Sequence, residues 1–181
     1  MTKDELLMPR PVVPDAYRFE DDGSIPNNPR IPLLVYRGAW EAKPDVDLAA
    51  AIEKRFDVNG WLGTWRNGIY GFEHYHSLSH EVLAVYSGTA KVRLGGHLGE
   101  VVTIGVGDVL VIPAGVGHRN LGSSSDFGVI GAYPDGIDYD TLRGDPKDRP
   151  WALANIKAVP KPTTDPVYGV DGPLLDLWPE D

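Results

Sequence analysis

The chain of 181 residues contains no cysteine. Disulfides, thiolate metal ligands and a thiol nucleophile are therefore excluded, and the fold must hold by packing alone. The absence fits a reducing compartment, and a cytoplasmic location is the expectation. Basic residues are also scarce: 17 Lys and Arg stand against 26 Asp and Glu, for a net charge of -9, and they form no block. A phosphate-backbone footprint is missing, so nucleic acid is not an expected partner. No apolar run approaches the roughly 20 residues a membrane helix needs, so no membrane partner is expected. The charged start "MTKDELLMPRPVVPD" is not built like a secretory signal, and the letters KDEL at Lys3–Leu6 act as a retention signal only at a C-terminus. What remains is about one domain's length of ordinary globular composition, long enough to bury a core.

Residues 1–15 read as a loose, flexible arm, and 16–181 as a single domain. "AYRFE" and "IPLLVYR" read as strands around the turn "DDGSIPNNP". A helix is expected over about 45–57, because Leu48, Ile52 and Phe56 recur every four residues as one apolar stripe. Asp45 or Asp47 can cap its start, and Gly60 can end it. From Trp61 to Tyr133 the pattern changes to short runs rich in Val, Ile, Tyr and Phe, among them "IYGFEHYH", "EVLAVYSG", "AKVRL", "EVVTIGV", "DVLVIPA" and "FGVIGAY". Short strands at this spacing indicate an all-β sandwich or barrel rather than a parallel α/β sheet. Residues 134–181 hold half of the sixteen prolines but also Trp151, Leu174, Leu175, Leu177 and Trp178. That apolar load implies an arm docked on the barrel or across a twofold homodimer, with one short helix near 150–157 opened by Pro150.

All five histidines fall between His74 and His118, three of them in "HYHSLSHE". On a strand, His74 and His76 share a face about 7 Å apart and can converge on one ion if the sheet curves. A lone His-x-His is weak evidence, and a hydrogen-bonded pair is the commoner meaning. His80 shares the parity of the first two histidines. Glu81 has the opposite parity unless "SLSH" breaks the strand and resets the phase, bringing it inward with Leu83 and Val85. Spacing alone does not decide between them.

The longer pattern does. Gly68-x5-His74-x-His76-x4-Glu81-x6-Gly88 resembles the first signature of the cupin superfamily, and Gly107-x5-Pro113-x-Gly115-x2-His118 resembles the second. The eighteen residues between Gly88 and Gly107 match the short bacterial spacing. One position departs: Gly122 stands where the second signature usually has asparagine, with Asn120 nearby. "DGSIPNNP", "GGHLGE" and "DPVYGVDGPLLDLW" are similar to the small bacterial YjlB-like cupins, a likeness that spans most of the chain but brings no established reaction.

The resemblance implies a small antiparallel jelly-roll β-barrel with one short N-terminal helix, the extended C-terminal arm, and a site in the barrel mouth. It implies His74, His76, Glu81 and His118 as ligands of one divalent transition metal ion (Fe, Mn, Ni, Zn, Co or Cu), with His80 as the competing fourth ligand. Imidazole and carboxylate donors suit those ions. Open coordination positions would serve Lewis-acid or oxygen chemistry on a small oxygen-rich organic molecule, by an oxygenase or an isomerase, with Glu81 as a possible base. The same fold also suits a binding or sensing module without turnover. By parity, Tyr70 and Phe72 would line the pocket, with Arg66 further out. Lys91 and Arg93 should face solvent, and His97 should sit in an exposed turn with no role.

Overall fold

The structure is a computed structural model that describes residues 8–181. Residues 1–7 of the expected arm lie outside the described residues. The remainder of that stretch is tied down at Arg10, whose backbone N–H donates to the Ala39 carbonyl at 2.7 Å and whose side chain donates to the Gly38 carbonyl.

Among the described residues nine strands form two antiparallel sheets. The six-stranded sheet runs in the order β1 (Asp15–Tyr17), β2 (Leu33–Tyr36), β7 (Val109–Ile112), β4 (Glu81–Ser87), β9 (Gly128–Pro134), β3 (Trp61–Asn67). The three-stranded sheet runs β6 (Glu100–Gly105), β5 (Thr89–Leu94), β8 (His118–Ser123). Together they make a jelly roll. Leu33, Val35, Leu83 and Val85 of the large sheet face Val92, Leu94 and Ile104 of the small one, and this is the inner core.

The large sheet is buried on its other face as well, which is why its strands read as near-continuous apolar runs rather than alternating ones. Leu34, Tyr36, Val82, Val109, Val111 and Ile130 point outward and are covered by helix α1 (Leu48–Val58) and by the C-terminal segment. The α1 stripe of Leu48, Ile52 and Phe56 supplies its buried face, and Asp47 Oδ1 caps it by accepting from the Ala50 N–H at 3.1 Å. Val167, Leu174 and Trp178 supply the rest of the cover. Each fully buried side chain of this size contributes roughly 1.5–3 kcal/mol.

Backbone N–H and carbonyl groups at loops need partners, and buried polar side chains supply them where the C-terminal segment docks. Buried Asp165 accepts from the N–H groups of Val167, Tyr168 and Leu174 and from the Tyr36 hydroxyl. Trp178 Nε1 donates to the Pro32 carbonyl at 3.0 Å, and Trp61 Nε1 to the Thr164 carbonyl at 3.1 Å. Helices α2 (Arg149–Ala158) and α3 (Leu174–Leu177) lie in this segment, and Pro150 occupies the first turn of α2. Among the described residues no helix is long and apolar enough to cross a membrane.

Candidate metal centre

The expected strand "IYGFEHYH" does not form. Residues 68–80 have no extended ladder, and β4 begins only at Glu81. The segment instead runs irregularly along the free edge of β8. His74 and His118 exchange backbone hydrogen bonds at 3.3 and 2.9 Å, and the Asn120 N–H donates to the Tyr70 carbonyl at 2.9 Å. Four residues on one side thus match two on the other, so Tyr70 and His74 keep the same side without a regular pleat between them. The Gly115 N–H donates to the His76 carbonyl at 2.7 Å, which stitches the second motif to the first. Gly115 has φ +92°, and a Cβ there would stand 2.5 Å from the Asn27 carbonyl oxygen, so only glycine fits this crossing. "SLSH" breaks the chain direction, and Glu81 emerges on the face of β4 that carries Leu83 and Val85.

These elements bring His74, His76 and His118 together, buried, with one ligating atom of each within 4.8 Å of the others. Glu81 sits beside them, its Oε1 3.2 Å from His118 Nε2 and its Oε2 3.4 Å from His76 Nε2. In all three histidines Nδ1 faces a backbone carbonyl: Phe72 at 3.0 Å for His74, Val116 at 3.1 Å for His118, and Asp140 for His76. A carbonyl only accepts, so each Nδ1 carries a hydrogen, and each ring when neutral turns the lone pair of Nε2 inward. Three lone pairs and a carboxylate, all acceptors, then face one another in a space nearly closed to water. Only protons or a cation can reconcile that arrangement, and this donor set fits a divalent transition ion.

The protonation preferences follow from the same geometry. Burial, reinforced by the neighbouring His118, pushes His74 down to about 3. At His76 burial also opposes the charge, but Glu81 outweighs it and raises the group above the ordinary imidazole range. Burial opposes ionisation of Glu81 in turn, yet His76 and His118 hold its carboxyl below the usual carboxylate range.

His80, which the sequence offered as a competing ligand, points elsewhere. Its Nδ1 accepts from the Ala114 N–H at 2.9 Å, its Nε2 donates to the Pro160 carbonyl at 3.3 Å, and its ring lies against Trp178. No ring nitrogen is left for an ion.

The centre opens into a cavity of about 350 Å³, walled by Trp65, Ile69, Leu83, Tyr133 and the half-exposed Tyr70 and Tyr139. That is near the small end of ligand pockets, which run about 300–1,000 Å³. Tyr70 stands edge-on to His74 and Tyr139 edge-on to His76. Arg66 lines the cavity but is held by Glu53 through hydrogen bonds of 2.6 and 2.9 Å. Phe72 does not line it; the ring stacks on Tyr70, with the Arg143 guanidinium over it at 3.8 Å. Arg93 is half-buried rather than solvent-facing, because it pairs with Glu73 at 2.9 Å. Lys91 and His97 are exposed.

Reading the sequence motif by motif misses Tyr133, Trp65, Tyr139 and Asp140. Tyr133 donates to Glu81 Oε2 at 2.9 Å and accepts from Trp65 Nε1 at 2.8 Å. Tyr139 stacks on Tyr133, and the Asp140 carboxylate accepts from the backbone N–H groups of Ser77 and Leu78, clasping the ligand loop. The only signal available is the "YPDGIDYD" stretch, whose tyrosines sit oddly in an otherwise polar turn.

The match to known proteins agrees with this geometry. Residues 65–126 match the cupin-domain family Cupin_2. Protein YjlB of Bacillus subtilis (strain 168) is 44% identical over 163 residues, covering 90% of this chain and 95% of the relative. The chain belongs to the cupin superfamily. Among solved structures it is similar to acireductone dioxygenase from Bacillus anthracis, at 16% identity and TM-score 0.42, over 61% of this cupin and 82% of that chain. It is also similar to a mutant of Bacillus subtilis oxalate decarboxylase, at 17% identity and TM-score 0.37, over 62% of this cupin and 27% of that chain.

Proposed function

We propose that this cupin is a metal-dependent enzyme, an oxygenase or isomerase, acting on a small oxygen-rich organic molecule. The observation that carries this reading is the inward-turned set of three Nε2 atoms and one carboxylate at the floor of an open cavity. A purely structural ion would be closed over by protein, whereas this one would face a ligand space. His74, His76, His118 and Glu81 would hold the ion. A divalent transition ion bound there would supply Lewis acidity and, if redox-active, oxygen chemistry.

The remaining work falls to the chain's own side chains. Tyr70 and Tyr139 flank the entrance and present ring faces and hydroxyls to an incoming molecule. Leu83 and Ile69 exclude water from the floor. Arg66, already paired with Glu53, offers directional N–H groups more than net charge.

One observation favours a binding module instead: Glu81 already accepts from the Tyr133 hydroxyl and stands 3.4 and 3.2 Å from His76 and His118 Nε2, so the carboxylate is not an unengaged base. Turnover separates the two. Elemental analysis of untagged protein should give about one transition ion per chain. Protein loaded with Fe(II), Mn(II) or Ni(II) should convert a small oxygen-rich compound that the metal-free form leaves intact. Ligands that raise the melting temperature and are recovered unchanged, with no oxygen consumed under any metal, would establish the sensing module.

Cytoplasmic residence and a homodimer belong to the same proposal. With Leu174 and Trp178 buried within one chain, support for a dimer shifts to the exposed Val170 and Leu177. Light scattering decides it.

A further inference from the structure

Glu81 differs from the histidines in how it is held. Their Nδ1 hydrogens go to main-chain carbonyls, while the carboxylate of Glu81 is held by a side-chain relay that crosses to two other strands. Trp65 on β3 donates its indole N–H to Tyr133 on β9 at 2.8 Å, and Tyr133 donates to Glu81 Oε2 at 2.9 Å. The direction of this relay is fixed by chemistry. Indole nitrogen is a donor only, so the Tyr133 oxygen must accept from it, and the one phenolic hydrogen is then turned to Glu81. Oε2 thereby accepts one hydrogen bond while standing 3.4 Å from His76 Nε2, and Oε1 stands 3.2 Å from His118 Nε2, so the carboxylate is presented to the histidine group in one fixed orientation.

The relay sits in rigid surroundings. Tyr133 is almost fully buried, and its ring stacks on Tyr139 at 4.5 Å between centroids. β9 pairs with β3 on one side and β4 on the other, so the strands carrying Trp65, Tyr133 and Glu81 are direct neighbours. Any turn of the carboxylate must break the Tyr133 bond, which makes the hydroxyl a strong orienting contact.

We infer that Tyr133, oriented by Trp65, is a positioning residue that fixes the orientation in which the Glu81 carboxylate would be presented to a metal ion held by the three histidines. The inference rests on the metal reading above and adds to it the group that sets how the one anionic ligand is presented. Tyr133 acts through Glu81 and touches no ion itself.

The test uses Co(II) as the probe, titrated into metal-free full-length protein and followed by its visible absorption. Tyr133→Phe keeps the ring and its stack on Tyr139 while removing the hydroxyl. It should weaken Co(II) binding about 10- to 100-fold and alter the Co(II) bands, as loss of an outer partner of a ligand does. Trp65→Phe, which leaves the phenol unoriented, should move both readouts the same way by less. In a Glu81→Ala background, Tyr133→Phe should have no further effect, since its target is gone. Wild-type affinity and spectrum in both Tyr133→Phe and Trp65→Phe would overturn the inference, as would a Tyr133→Phe loss that persists undiminished with Glu81→Ala. Wild-type protein that binds no Co(II) would remove the metal reading and this one together.

Discussion

His76 and His80 are both buried, lie in the same short segment, and end in opposite situations. At His76 one ring nitrogen is held by the Asp140 carbonyl and the other faces a carboxylate and a cavity. At His80 both nitrogens are held by backbone, at Ala114 and Pro160, and Trp178 covers the ring. His74 and His118 repeat the first arrangement. Burial and residue type therefore do not make a ligand. The partner of the second ring nitrogen does. The comparison also divides the molecule: the inner end of the barrel carries the candidate centre, while the outer face of the large sheet uses His80 to anchor the C-terminal segment.

The largest expected effect breaks that anchor. Trp178→Ala removes a fully buried ring that packs on His80 and donates to the Pro32 carbonyl. A loss of about 3–5 kcal/mol is expected in denaturant unfolding, from the cavity and the orphaned carbonyl together. A change below about 1 kcal/mol would mean that the C-terminal segment is not part of the folded core.

The next effect belongs to the other histidine environment. His118→Ala or His76→Ala should weaken divalent metal binding at least about 100-fold, close to 3 kcal/mol, in a competition titration. Glu81→Gln should also weaken it, and by more than His80→Gln does. Should His80→Gln prove the more damaging of the two, the division drawn above would be wrong and His80 would reach the ion.

Part of this division was legible in the sequence and part was not. The helix over Leu48–Val58 was readable because its stripe repeats every four residues and Asp47 stands at its start. The resemblance of the two motif blocks to the cupin signatures grouped His74, His76, Glu81 and His118, where spacing alone left Glu81 and His80 undecided. The strand expected through "IYGFEHYH" failed because apolar and aromatic content alone does not secure a ladder; this segment meets β8 at only a few points. Tyr133 and Trp65 escaped because their role depends on β3 and β9 both joining β4's sheet, a pairing far apart in sequence. His80 was ambiguous because parity gives a direction only while a strand is regular, and "SLSH" ends that regularity.

A smaller effect, with a different cause in each of the two environments, appears with pH. Burial pushes His80 down to about 4, against about 6.5 for a free imidazole. Its folded form binds a proton less readily than its unfolded form, so its contribution is complete above about pH 6.5 and is lost as pH falls toward 4. The slope is at most about 1.4 kcal/mol per pH unit in that window. His80→Gln should lower stability by about 1–3 kcal/mol at pH 7.5, where the Ala114 N–H loses its acceptor. The gap between wild type and variant should then narrow as pH drops from 6.5 to 4, measured by urea unfolding. A gap that stays constant with pH would show that His80 does not rely on its neutral form. Metal affinity should fall over the same range for a different reason, since protons compete for the Nε2 atoms directly.

The smallest expected effect concerns His97, which lies outside both environments. Its side chain is 57% exposed and its Nδ1 stands 3.1 Å from the buried carboxylate of Asp22. The histidine end of this pair is exposed, where water competes for the charge, so the contribution should stay near the roughly 0–1 kcal/mol of surface pairs. Asp22 Oδ1 keeps two partners, the N–H groups of Ser24 at 2.9 Å and Ile25 at 2.6 Å, so the side chain remains anchored through that oxygen when the histidine is gone, while Oδ2 loses its ion-pair partner. The turn that carries His97 does touch the strand leading to His118, through the Gly95 N–H and the Gly117 carbonyl at 2.7 Å. That contact is backbone to backbone and survives any change of side chain. His97→Ala should therefore leave metal affinity within about twofold and stability within about 1 kcal/mol. A tenfold loss of metal binding in this variant would show that a histidine outside the motif spacing reaches the centre through that turn, and inward-facing lone pairs would no longer suffice to tell the ligands from the rest.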